Sequence, residues 1–125
     1  MRTVCRLIGW MLLLAIVVLS VSPASYRPVT GASSIFEHLA IFLILGAVLA
    51  IGYRDRLASL AGGLLLFCGL VEVLQFWVPG RHARLSDFLV DAASALAGVA
   101  IAALAERGYT APVVALRAAF IRRNR

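Results

Sequence analysis

Four long apolar stretches constrain the fold of this chain more than any other feature of its sequence. They cover residues 4–22, 35–53, 57–78 and 88–105, and are 19, 19, 22 and 18 residues long. A helix needs about 20 mostly apolar residues to cross a membrane, because each residue adds about 1.5 Å and the hydrocarbon core is about 30 Å thick. The sequence therefore predicts an all-α membrane protein, a bundle of four transmembrane helices.

The composition agrees with this prediction. The chain has 125 residues, of which 62% are hydrophobic and 14% are charged. Soluble domains are typically about 45–50% apolar. A chain of this length and composition is expected to form one domain surrounded by lipid, which we place at residues 1–108.

The charges predict an orientation. All twelve basic residues are arginines, against six acidic residues, which gives a net charge of +6. If the N-terminus is cytoplasmic, nine arginines fall on the cytoplasmic side and three on the outer side. Arginine is enriched in cytoplasmic segments of membrane proteins, so we expect both termini in the cytoplasm. The sequence shows no basic soluble segment, and no nucleic-acid partner is expected.

The two ends of the chain leave alternatives. The first stretch can be a cleaved signal peptide, because Arg2 and Arg6 precede it and small residues follow at 22–24, but its length and Pro23 favour an uncleaved helix. Residues 109–125 form a basic cytoplasmic tail. In it, Val113, Leu116 and Phe120 share a face, which predicts a short amphipathic helix on the inner leaflet; a frayed basic tail is the alternative.

Polar residues gather around the turn between the third and fourth stretches. In the third, residues 58, 62, 65, 69, 72 and 76 follow one helix face, which directs Glu72 into the bundle. In the fourth, residues 87, 91, 94, 98, 102 and 105 form a second polar and small stripe. Because ionisable groups inside a membrane are costly, this cluster is a functional-site hypothesis. Its members are Glu72, Gln75, Arg81, Asp87 and Asp91, joined by Glu37 and His38 from the second stretch.

Structural roles remain open for several of these residues. Ser34 and Glu37 fit a helix-capping box, and Asp87 suits the first turn of a helix. Arg81 can bridge Glu72 and Asp91, which would make that pair structural.

The pattern of these residues resembles the VanZ-like family of small multi-pass bacterial membrane proteins. The likeness rests on Glu72-x-x-Gln75, Pro79-Gly80-Arg81, Asp87-x-x-x-Asp91 and Gly98, and extends to Ser22-Pro23, His38 and Tyr53-Arg54. The family takes its name from a protein linked to low-level resistance to teicoplanin, an acylated glycopeptide. The resemblance implies a multi-pass protein of the bacterial inner membrane, with a setting in the cell envelope and an uncleaved first helix. It implies no particular reaction.

Three functions follow as hypotheses. The leading one is binding of an amphiphilic envelope or lipid-linked ligand in the outer leaflet by the seven cluster residues, with membrane lipids, a lipid-linked precursor or an acylated glycopeptide as partners. The second is a metal-assisted hydrolase of a lipid-linked phosphate that uses His38, His82 and the carboxylates. The third is a passive assembly module. Because no metal-binding spacing or activated nucleophile is present, we assign no catalytic residue, metal or cofactor.

Overall fold

The described part of the chain folds into helices joined by short connections. A computed structural model describes residues 1–23, 31, 33–79 and 84–123, with the backbone alone at 34 and 109–123. The α-helices are α1 (Arg2–Val21), α2 (Ser34–Gly52), α3 (Leu57–Gln75) and α4 (Leu85–Arg123), and a 3₁₀ turn at Arg54–Arg56 links α2 to α3. Four helices are long and apolar enough to cross a membrane, which confirms the predicted four-helix architecture.

The pair formed by α2 and α4 makes the most extensive contact in the bundle. Glycines on each helix allow this approach. A Cβ atom built at Gly98 would lie 2.8 Å from the backbone nitrogen of Ala47, and one built at Gly46 would lie 2.9 Å from the carbonyl carbon of Ala95. Both distances are too short for a real Cβ, so the two backbones pack directly on each other.

These contacts also fix the relative direction of α2 and α4. His38 contacts Asp91 near the start of both helices, Gly98 contacts Leu43 and Ala47 further along, and Arg54 pairs with Glu106 just after α2 ends. Contacts that advance along both helices together show that the pair is parallel. We call the two ends of the bundle the His38 end and the Arg54 end.

Helix α1 packs mainly on α2. Gly9 lies against the side chain of Leu49, and Gly52 lies against Arg6. At the Arg54 end, Arg6 Nε donates to the carbonyl of Gly52 at 2.8 Å, and Arg2 pairs with Asp55 at 3.0 Å. The basic residues that begin the chain therefore attach α1 to the turn after α2.

Helix α3 packs chiefly on α4, and its buried face differs from the predicted one. The buried residues are Leu64, Cys68, Val71, Glu72 and Gln75. Ala58, Gly62, Leu65 and Phe76 were predicted to face the bundle but are exposed. The prediction for α3 was wrong because the small residues of this helix do not mark its contact face. On α4 the predicted stripe of polar and small residues is buried at Asp91, Ser94, Gly98 and Ala102.

Some predicted boundaries also change. The N-cap of α2 is Ser33, whose side chain accepts from the backbone N–H of Phe36 at 3.4 Å, so the expected capping box of Ser34 and Glu37 is wrong by one residue. Helix α3 ends at Gln75, three residues before the end of the predicted stretch. The expected C-terminal helix forms as a continuation of α4 to Arg123, and the side chains that would make it amphipathic lie outside the described part.

The close approach of α2 and α4 predicts a strong effect of one methyl group. The change Gly98→Ala should lower the free energy of unfolding by about 1–3 kcal/mol, because the added carbon meets backbone atoms that cannot move aside independently. Gly62→Ala is the matched control, because a Cβ there meets nothing within 4 Å. Denaturation of both variants in mixed micelles measures the difference, and equal stabilities would contradict the backbone contact.

Candidate functional site

The first element of the site is a buried pair between α2 and α4. His38 Nδ1 lies 2.9 Å from Asp91 Oδ1, a distance at which a protonated Nδ1 donates to the carboxylate. Asp91 is 1% exposed, and the imidazole also stacks on Phe42 with ring centroids 6.3 Å apart. The parallel arrangement of the two helices brings these positions to the same level. The structure thus joins two of the predicted site residues directly.

The second element is Glu72 on α3. Its carboxylate accepts a hydrogen bond from the backbone N–H of Arg84, the residue that precedes α4, and the side chain is buried in the bundle. Arg84 in turn accepts from Asp87 N at 2.9 Å in the first turn of α4. The carboxylate is therefore held at the positive N-terminal end of a helix dipole, where negative charge is stabilised.

The charged groups of the site are close enough to influence one another. Asp87, Asp91 and His38 all interact electrostatically with Glu72. Three acidic groups and one imidazole, supplied by three helices, thus form one cluster at the His38 end. We call Glu72, Asp87, Asp91 and His38 the acidic cluster.

Gln75 lies about one turn beyond Glu72 on α3, and Asp87 lies in the first turn of α4. Gln75 is 5% exposed, and its side-chain amide makes no hydrogen bond within the described part of the chain. Asp87 is half-buried, lies 3.1 Å from Ser86 Oγ, and lines a small cleft with His38. An unpartnered amide beside acidic groups provides both a donor and an acceptor for a polar ligand.

An apolar groove opens beside Glu72, between the end of α3 and the start of α4. It has a volume of about 360 Å³ and is lined by Gly69, Glu72, Val73, Phe76, Arg84, Leu85 and Phe88. Phe76 and Leu85 at its mouth are more than 70% exposed. The groove therefore joins an acidic side chain, an exposed arginine and an apolar surface.

Glu37 is the remaining predicted site residue that the structure describes. Glu37 is half-buried in the first turn of α2, where its backbone N–H donates to the carbonyl of Ser33 at 3.2 Å. Arg81 and His82 lie outside the described residues. Arg84 was not among the predicted site residues, although its position just before α4 was a sequence signal that could have identified it.

The described residues hold no group of three or more His, Cys, Asp or Glu side chains arranged for a metal ion. The imidazole of the acidic cluster contacts Asp91 through Nδ1. The groups of the cluster can donate and accept hydrogen bonds, pair with charge and exchange protons.

Comparison with known proteins identifies a family. The family model described as VanZ/LLP1 matches residues 8–106, a range that includes the acidic cluster and the groove beside it. No curated protein and no solved structure matches the chain.

The burial of Asp91 beside His38 predicts strong coupling between the two residues. In a double-mutant cycle with His38→Ala and Asp91→Ala, we expect a coupling energy of about 1–3 kcal/mol in the free energy of unfolding, because His38→Ala removes the imidazole from a buried carboxylate. The Arg2–Asp55 pair is the control, since its side chains are 48% and 72% exposed, and we expect its coupling to be below about 1 kcal/mol. Equal coupling energies in the two cycles would contradict a stronger interaction in the His38–Asp91 pair.

Proposed function

Because the chain belongs to the VanZ/LLP1 family, a family of membrane proteins, we propose that it binds an amphiphilic cell-envelope or lipid-linked molecule at the His38 end of the bundle. The polar head of the ligand binds at the acidic cluster and Gln75, and its apolar part lies in the groove between α3 and α4. Glu37 and Arg81, which the sequence also assigns to the site, belong to the proposal as rim residues.

The observation that carries this proposal is the position of Glu72 in the wall of an apolar groove. The groove has a volume of about 360 Å³, and most of its other lining residues are apolar. A carboxylate in such surroundings is costly unless it is hydrogen-bonded, and Glu72 has one backbone donor. A ligand with hydroxyl or amide donors would satisfy its remaining lone pairs while filling the groove.

The charges around the groove define the ligand further. Arg84 lines the groove and is exposed, and a guanidinium suits a phosphate or carboxylate. Glu72 and Gln75 suit hydroxyl and amide groups. A molecule that combines an acidic group, a polar head and a long apolar chain matches the arginine, the polar side chains and the apolar groove. Polyprenyl-phosphate-linked sugars and acylated glycopeptides are of this kind.

The distribution of arginines supports an outer location for this site. With nine arginines assigned to the cytoplasmic side and three to the other, the His38 end faces outward. A site in the outer leaflet of the bacterial inner membrane would meet envelope precursors and acylated glycopeptides such as teicoplanin. Binding them there would alter the sensitivity of the cell to such antibiotics.

A structural role is the second candidate, and specific contacts favour it. Glu72 hydrogen-bonds the backbone before α4, and His38 connects α2 to Asp91. These contacts alone would explain why the polar groups are buried. The two functions differ in one respect: a structural role needs the hydrogen bonds, whereas ligand binding also needs the negative charge and the open groove.

Filling the groove should prevent binding. We expect a photoactivatable polyprenyl-phosphate-linked sugar or acylated glycopeptide to label α3 and α4 between residues 69 and 88, and Gly69→Leu to reduce that labelling severalfold. A Cβ at Gly69 lies 3.8 Å from Phe88, so a larger side chain enters the groove. Gly62→Leu, on the same helix but in open space, should label as the unmodified protein does. Labelling spread evenly over all four helices would contradict a site at the groove.

Neutralising Glu72 should separate the two candidate functions. The Gln amide oxygen of Glu72→Gln still accepts from Arg84 N–H, so we expect the free energy of unfolding to change by less than about 1 kcal/mol. Binding of the same probe should weaken about tenfold, because a charge-assisted hydrogen bond is lost. Glu72→Leu, which removes the acceptor as well, should lose both stability and binding. Unchanged binding in Glu72→Gln would leave the structural role as the better account.

A further inference from the structure

A second groove lies at the Arg54 end, among α1, α2 and α3. It has a volume of about 380 Å³ and an almost entirely apolar surface. Its walls include Trp10 and Leu13 of α1 and Leu60, Gly63, Leu64 and Phe67 of α3. From Arg56 to Phe67 it follows α3 for about 16 Å at 1.5 Å per residue. This groove shares no lining residue with the groove beside Glu72.

A polar cleft continues this groove toward the end of the bundle. The cleft has a volume of about 430 Å³ and is lined by Arg6, Tyr53, Asp55 and Arg56. Tyr53 and Arg56 line both cavities, so the apolar groove and the polar cleft meet at these two residues. One molecule with an apolar chain and a polar head can occupy both.

Most charged groups near the cleft already have a partner. Arg2 pairs with Asp55, Arg54 pairs with Glu106 at 3.1 Å, and Arg6 donates to Gly52 while its guanidinium lies 4.7 Å from the ring centre of Tyr53. Arg56 is exposed and makes no ion pair or side-chain hydrogen bond within the described part of the chain. Since Asp55 is neutralised by Arg2, the cleft has an excess of positive charge from Arg6 and Arg56.

We propose that this cavity is a binding site for an anionic phospholipid, with one acyl chain in the groove and the phosphate at Arg56 and Arg6. The argument rests on charge complementarity: an apolar groove ends at an unpaired guanidinium, which binds a phosphate by paired N–H donors. Trp10 Nε1 donates to the Tyr53 hydroxyl at 3.0 Å, and such aromatic residues are enriched at the level of lipid headgroups. The proposal does not depend on the ligand of the acidic cluster or on which leaflet the site faces.

Native mass spectrometry of the purified full chain tests this proposal. Phosphatidylglycerol and phosphatidylcholine with identical acyl chains are added to the delipidated protein. We expect phosphatidylglycerol to bind about fivefold more tightly, the contribution of one arginine to an anionic lipid surface. Arg56→Gln should reduce this preference, and it should weaken phosphatidylglycerol binding more than phosphatidylcholine binding, because the choline cation already offsets the phosphate charge in the latter. Equal binding of the two lipids by the unmodified protein would overturn the headgroup assignment.

Two variants of α3 test the acyl-chain groove. Gly63 lines the groove and has no neighbour within 4 Å of a built Cβ, so Gly63→Leu fills the groove without a clash and should reduce phospholipid binding severalfold. Gly62→Leu is equally unhindered but lies outside the groove, and it should bind lipid as the unmodified protein does. If both variants bind equally, the groove is not the site.

Two other results would overturn the lipid assignment. Binding of glycerol phosphate as tight as that of the lipid would show a simple anion site. A protein dimer that is lost in Gly63→Leu would show that a second copy of the chain fills the groove.

Discussion

The direct backbone contact between α2 and α4 is the constraint on which the rest of this structure depends. Two helices in lipid gain little from hydrophobic burial, because the surrounding acyl chains are as apolar as the helix surface. Their association therefore depends on close packing, and Gly46 and Gly98 permit it by leaving no side chain between the helices. Once the backbones are in contact, the relative position of the two helices is fixed along their whole length. His38 then meets Asp91 at one end, and Arg54 meets Glu106 at the other.

The contact between α2 and α4 also places polar groups inside the bundle, and each of these groups needs a hydrogen-bond partner there. Asp91 is nearly inaccessible, and a carboxylate at that depth is stable only with a partner, which His38 provides. Glu72 obtains its partner from the backbone that enters α4, so the position of α3 depends on the start of α4. Gln75 is the exception, because its buried amide has no hydrogen-bond partner among the described residues. The cluster is thus partly complete in the protein alone, and its open hydrogen-bonding capacity lies beside the groove.

The sequence was sufficient to predict the helices and the convergence of the acidic residues, but not the packing of α3. Length and apolar composition identify membrane helices, and the stripe of Asp91, Ser94 and Gly98 correctly marked the buried face of α4. The same reasoning failed for α3, since Gly62 lies on its exposed face and Leu64 and Cys68 on its buried face. In a membrane helix all faces are apolar, so periodicity of hydrophobic residues cannot distinguish lipid from protein contact. Glu72 belonged to the wrongly predicted face of α3 and is buried nevertheless, together with its neighbour Val71. Arg84 bonds Glu72 through its backbone N–H, so its position just before α4 is the only sequence signal for this contact and its side chain gives none.

The small size of the bundle explains why its two grooves open sideways. Four helices with one tightly packed pair cannot enclose a cavity on all sides, and α3 contacts α1 and α2 much less than it contacts α4. This leaves one gap where α3 meets α4 at the His38 end and another between α1 and α3 at the Arg54 end. Large apolar side chains are exposed at both gaps: Phe76 and Leu85 at the first, and Trp10 at the second. Under the two binding proposals, a ligand approaches either gap through the membrane and needs an apolar part to enter it. Glu72 lines the first gap and Arg56 the second, and the proposals give these side chains the role of selecting ligands by their polar heads. In the proposed scheme the lipid phase therefore determines access, and one charged side chain at each gap determines specificity.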